Sequence, residues 1–389
     1  MPRKRKTRIA KQTAREKSAE DSKQLDLNLD DIKKEHADVD VQSYSEDELV
    51  PTGAVMLNLA CSDFASGGYK LGSINTLPGE SDAGKSVLCM TGLAKSAVLK
   101  RFDKYDIIMN NAEIKGSFNL KKMFPPLVDR IKLPEGGPSK TINQLGGSII
   151  AQCRSGRPFI EIVDSLDTLK GDSDFEKSTK DALKVAKGDI AAIKELKKSY
   201  NAEKAKTIRK ILGECNDLIS GSDSMIVIVQ QVTANMKMKN KYDDPYSSNG
   251  GTSPFFNSTH CYRLLQGGKI KDPIHGLEIG NTAHMKCRKN HLSGKKRDVS
   301  FNIFQQYGVD NIESVCLFLC STPMWTASAK KVAAETTVRT NEFGEHKFGK
   351  LLNILWEDPA KNMAILEKLA EEAWADRERS LDTGRRAFF

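Results

Sequence analysis

The run GESDAGKS, residues 79–86, carries the strongest chemical signal in the chain: a glycine, four residues, then Gly84, Lys85 and Ser86. That is the spacing of a loop that cradles phosphates. Glycine lets the backbone come close. Amides without helical partners at a helix start point at an anion, with the positive end of the helix dipole behind them. In that role Gly79, Glu80, Ser81, Asp82, Ala83, Gly84 and Val87 line the phosphates, Lys85 supplies a point charge, and the Ser86 hydroxyl binds Mg²⁺. The competing reading is an ordinary glycine-rich turn. A strand-like run before it (residues 74–77) and a helical one after it (residues 87–94) favour the phosphate loop.

Three polar residues close other apolar runs and fit the same chemistry. Asp164 ends the buried strand expected within PFIEIVDSLDTL, residues 158–169, where a carboxylate holds Mg²⁺ directly or through water. Glu113 follows the strand DIIM, residues 106–109, placed to polarise the water that attacks a γ phosphate; an exposed carboxylate at a strand end remains the other reading. Gln231 ends SMIVIVQQ, residues 224–231, within reach of a γ phosphate.

These residues work together only if their strands lie side by side with all carboxyl ends at one edge. That is the arrangement of an open, mainly parallel α/β sheet. Between the last two strands, residues 170–224 read as a pair of Lys-rich surface helices, with Gly188 and Asn201 as breaks. Residues 232–258 show no helical or strand period and are rich in Lys, Asn, Ser and Gly, a composition suited to gripping a nucleic-acid backbone. Lys237, Lys239 and Lys241 stand on one side of this tract, Gly250 and Gly251 on the other, with Tyr242, Tyr246, Phe255 and Phe256 as base-stacking candidates; the two Phe read equally as core. A meander of short strands follows (residues 261–265, 282–288 and 299–304), with Lys286, Arg288 and Lys289 clustered beside its second turn.

Length and charge bound the rest. At 389 residues there is room for one large α/β domain with smaller flanking pieces, and no apolar run approaches the roughly 20 residues of a membrane helix. The expectation is a soluble, cytoplasmic, DNA-associated protein without a signal peptide. Lys and Arg number 60 against 51 Asp and Glu, a net charge of +9 that suits a polyanionic partner. Eight cysteines without a CxxC pair read as buried thiols in a reducing compartment. Residues 1–43, opening PRKRKTRIAKQTAREK, read as a disordered basic arm: a solvated tail or auxiliary DNA contact, with a nuclear import signal less favoured. Residues 44–322 form the expected core, and residues 323–389 a small α or α+β C-terminal domain.

The order of parts, with YSEDELVPTGAVMLNLACSDFASGGYKLG, GESDAGKS, IVDSLDTL and NGGTSPFFNS, resembles the RecA family of recombinases, its phage members in particular. The resemblance implies a P-loop NTPase core that binds ATP and Mg²⁺ through Lys85, Ser86 and Asp164, with Glu113 as catalytic base and Gln231 as γ-phosphate sensor. It makes residues 232–258 the second DNA-binding loop and residues 169–178 the region of the first. The family's active form is a helical filament on single-stranded DNA with ATP between subunits. By this likeness Arg288 and Lys289 reach the neighbour's γ phosphate, although Asn290 stands where a second basic residue is often found. No tyrosine occupies the adenine-stacking position after Glu113, and Phe118 is the substitute.

The implied function is a DNA-dependent ATPase that pairs single strands with homologous duplex and exchanges strands in recombination, repair and replication. Single-strand-binding and mediator proteins are its expected partners, and no membrane is. A ring helicase on the same core, and a recombination mediator with little hydrolysis, are the competing functions.

Overall fold

The computed structural model describes residues 44–112, 118–171, 191–234, 244–248 and 253–381. The chain divides into two compact units, Met1–Ser45 and Glu46–Phe389, the first lying almost wholly outside the described residues.

The second unit begins with β1 (Leu49–Val50), α1 (Val55–Ser62), β2 (Tyr69–Lys70) and β3 (Ser73–Gly79), then α2 (Lys85–Val98), β4 (Asp106–Asn111), α3 (Leu120–Met123) and β5 (Ile131–Lys132). It continues through α4 (Ile142–Arg154), β6 (Phe159–Asp164), α5 (Ala191–Ser220), β7 (Met225–Ala234), β8 (Tyr246–Ser248) and α6 (Ser253–Asn257). Next come β9 (His260–Lys271), β10 (Glu278–Asn290), β11 (Val299–Phe304), β12 (Gly308–Asp310) and α7 (Asn311–Cys320). Strands β13 (Thr326–Ala327), β14 (Thr337–Thr340) and β15 (Gly344–Lys347) precede α8 (Phe348–Glu357) and α9 (Pro359–Ser380).

One sheet organises these parts, in the order β12-β11-β10-β9-β3-β7-β6-β4-β5, with β8 paired to β7. From β9 to β5 every pairing is parallel, while β9 to β12 are antiparallel. The parallel strands are apolar because both faces are covered. In β7, Met225, Val227 and Val229 join the core beneath α1, α2 and α7, whereas Ile226 and Ile228 join that beneath α4 and α5, as a period of two requires. Helix α4 starts with a Thr141–Gln144 capping box, each side chain taking the other's backbone amide.

Three expectations change. The Lys-rich stretch contains one continuous helix running through Asn201, because Ile208, Ile211, Leu212, Cys215 and Ile219 hold its latter half on the sheet. Gly188 lies outside the described residues. The meander strands are long: β9 and β10 pair from His260–Asn290 out to Lys271–Glu278, since backbone pairing carries the hairpin past the buried residues into solvent. Residues 232–258 are not without period, for β7 runs on to Ala234, and β8 and α6 fall inside the tract.

The C-terminal elements share the main hydrophobic core, with Leu351, Leu355, Leu366 and Trp374 buried in it. Trp374 Nε1 donates to Asp63 at 2.9 Å, and Arg297 clasps Glu378 at 2.7 and 2.8 Å. Among the described residues no helix is long and apolar enough to cross a membrane.

Candidate nucleotide site

Strand β3 is buried throughout and delivers the chain at Gly79 into a loop that ends where α2 begins at Lys85. Two turns of that loop need left-handed backbone: Gly84, the N-cap, has φ 98°, and Asp82 has φ 57°. A Cβ on Gly79 would meet the Leu264 carbonyl at 2.5 Å, so glycine lets this loop lie against β9. Lys85 is 8% exposed, and its Nζ donates to the carbonyls of Gly79 (3.1 Å) and Glu80 (2.5 Å), curling the side chain back over the loop. Its ammonium and the start of α2 put positive charge on one side of the loop.

Strand register brings the other residues to the same edge. Gly79 pairs with Gln231, Val163 with Ile228, and Asn111 with Asp164, so the carboxyl ends of β3, β6 and β4 lie at one edge of the sheet beside Gln231, while β7 itself runs on to Ala234. The Ser86 hydroxyl donates to Asp164 Oδ2 at 2.5 Å. Two hard oxygen donors side by side beside an ammonium fit Mg²⁺, which takes oxygens at about 2.0–2.1 Å and keeps part of its water shell. The loop's glycines and Lys85 fit the phosphates of ATP.

Gln231 sits half-buried within β7, its backbone N–H donating to Asp167 Oδ2 at 2.5 Å. Asp167 stands on the 3₁₀ turn Leu166–Thr168, and burial raises its pKa, opposed by the Gln231 amide and the charge of Lys204. Lys204 in α5 donates to the Asp167 carbonyl at 3.0 Å. Neither residue was singled out from sequence. The signal for Asp167 was a second acid three residues after Asp164; for Lys204, one lysine among many, there was none.

Glu113 lies outside the described residues, two positions past the end of β4. So do Lys237, Lys239, Lys241, Tyr242, Gly250 and Gly251, and residues 172–178 of the first-loop region.

Arg288 and Lys289 stand near the end of β10, beside the turn that follows it and next to a register shift between Cys287 and Lys289. Arg288 donates to Asp244 at 2.6 Å. Lys289 Nζ donates to the carbonyls of Phe255 (3.1 Å) and Phe256 (2.9 Å) at the end of α6, 5.6 Å from the Phe255 ring, and burial lowers its pKa. Asn290 is 6% exposed, and its amide donates to the carbonyls of Ala60, Cys61 and Lys295. It anchors the β10 turn to α1.

The aromatic candidates separate. Tyr246 has its ring under the Arg263 guanidinium (4.8 Å) and its hydroxyl on Glu80, so protein groups engage it where a base was expected. Phe256 is 69% exposed and is not core. Phe118 packs edge-on against Phe124 at 5.7 Å, partly buried on the main core.

No protein-family model matches the chain. It is similar to Protein RecA of Francisella tularensis subsp. novicida (strain U112) and of F. tularensis subsp. tularensis (strain WY96-3418). Each is 21% identical over 271 residues, which cover 69% of this chain and 67% of the relative. This distant likeness, together with the mostly parallel sheet, supports a RecA-family relationship.

Proposed function

We propose that the chain is an ATP-dependent homologous-recombination protein that forms filaments on single-stranded DNA, pairs it with homologous duplex and exchanges strands. Within the RecA family we read it as similar to the phage recombinase UvsX, which would set it to work in the cytoplasm of an infected bacterial cell. The observation that carries the reading is the convergence of Lys85, Ser86 and Asp164 at the carboxyl edge of the sheet. The likeness to RecA supports it.

In this reading Lys85 transfers its hydrogen bonds from the Gly79 and Glu80 carbonyls to phosphate oxygens. Ser86 and Asp164 hold Mg²⁺, which neutralises charge on the transferring phosphoryl group. Glu113 orients the attacking water. Gln231, fixed through its backbone to Asp167, reports the γ phosphate to residues 232–258. Lys237, Lys239, Lys241, Gly250 and Gly251 clasp the polynucleotide. Arg288 and Lys289 reach the neighbouring subunit's nucleotide after leaving Asp244 and the α6 carbonyls.

Joint-molecule formation by purified protein with ATP, Mg²⁺, single-stranded circles and homologous linear duplex tests the function. Normal single-strand binding without joint molecules would sink it. A mediator that hydrolyses ATP poorly gains support from two observations, the internal engagement of Lys289 and the burial of Asn290. Rapid single-strand-stimulated turnover, abolished by Glu113→Gln, would exclude the mediator.

A further inference from the structure

Glu80 is bound on both its main chain and its carboxylate. Its carbonyl accepts Lys85 Nζ at 2.5 Å, and its N–H donates to the Leu264 carbonyl at 3.3 Å. Carboxylate Oε1 accepts the Tyr246 hydroxyl at 3.1 Å, and Oε2 accepts the Gln266 N–H at 3.2 Å. Tyr246 opens β8, which pairs with β7 just beyond Gln231: Ala234 with Tyr246, Val232 with Ser248. Beside it, Arg263 grips Asp244 at 2.8 and 2.7 Å, and Arg288 adds a contact at 2.6 Å. Strand β8 is therefore fastened to the phosphate loop through one side chain and to β9 and β10 through another.

A carboxylate in a loop built to receive a polyphosphate is electrostatically unfavourable, and phosphate capture by backbone amides gives it no work. Its contacts supply one. We infer that Glu80 and Tyr246 form a latch that couples occupancy of the phosphate loop to the placement of β8, which falls inside the tract 232–258. The inference rests on the reading above, in which ATP binds at Lys85 and that tract binds single-stranded DNA. Phosphate oxygens compete with the Glu80 carbonyl for Lys85 Nζ. When the Glu80 peptide resettles, its tethered carboxylate carries Tyr246 and the start of β8 with it. A ligand shifts a conformational equilibrium only through contacts that differ between the two arrangements, and Lys85–Glu80 is such a contact.

Two ratios measure the coupling in the full chain: the gain in oligo(dT) affinity from a non-hydrolysable ATP analogue, and the gain in analogue affinity from oligo(dT). Linkage makes them equal. Tyr246→Phe keeps the ring beneath Arg263 and removes only the hydroxyl. It should lower both ratios together, by about tenfold. Glu80→Ala should do the same, the double variant should add nothing further, and Glu80→Gln, which keeps an acceptor oxygen, should retain more coupling than Glu80→Ala. Wild-type ratios in Tyr246→Phe, in a wild type that couples, would overturn the latch and leave the recombinase reading standing. A wild type that binds neither ligand overturns both.

Discussion

The Ser86 hydroxyl donates to Asp164 Oδ2 across 2.5 Å, tying the first turn of α2 to the last residue of β6, 78 positions away in sequence. If the pair holds Mg²⁺, Ser86→Ala and Asp164→Asn should each lower ATP turnover by about a hundredfold and raise the Mg²⁺ concentration needed for half-maximal rate. Steady-state hydrolysis across a Mg²⁺ titration checks this. An unchanged Mg²⁺ dependence would dissociate the pair from the metal.

Asn290 donates to three carbonyls from a buried position, so its removal leaves acceptors unpaired. Asn290→Ala should destabilise the fold by about 2–3 kcal/mol. Placing a lysine there should lower stability further, without raising ATP turnover. Thermal melting and hydrolysis, measured together, separate this structural role from a contact with a neighbouring subunit.

Glu161 lies fully buried in β6, taking a hydrogen bond from Asn110 at 3.0 Å. Burial pushes its carboxyl up to about 7, the amides of Asn110 and Gln152 opposing the rise. The folded state thus keeps the proton after the unfolded chain has lost it. Stability from this group is greatest below the unfolded value of 4.5, falls as pH rises from there to about 7, and is flat beyond. The difference is on the order of 3 kcal/mol. Glu161→Gln should therefore gain on the wild type between pH 5 and 8, as read from paired denaturant melts. Parallel profiles for the two proteins would contradict this.

Replacing Lys237, Lys239 and Lys241 with glutamine should weaken single-strand binding and make the slope of log affinity against log salt shallower by about 2, since each phosphate contact on a single strand contributes roughly 0.7. Binding of ATP in the absence of DNA should not change. Equal slopes for variant and wild type would remove these lysines from the interface.

The mostly parallel sheet was legible because its strands are buried on both faces: PFIEIVDSLDTL and SMIVIVQQ read as strands without reference to partners. The strand end at Asp164 was legible for the same reason, as a polar residue closing an apolar run, whereas β7 continues three residues past Gln231 to Ala234 because backbone pairing with β8 extends it. Lengths in the β9–β10 hairpin were not, because exposed residues such as Lys269 and Lys271 pair through the backbone, which leaves no mark on side-chain pattern. Nor was continuity through Asn201 legible, since the residues that hold this helix on the sheet, Ile208 to Ile219, lie further along it, and one weak helix former does not end it.

From its sequence alone the chain determined that one loop could take phosphate and which strand ends could face it, since backbone freedom and local apolar pattern are properties of neighbouring residues. Only the tertiary structure decided that Ser86 meets Asp164, that Gln231 leans on Asp167, that Asn290 is an anchor, and that Glu80 is answered by Tyr246. Each of those contacts depends on sheet order and register, which are set by how the whole set of helices covers both faces at once.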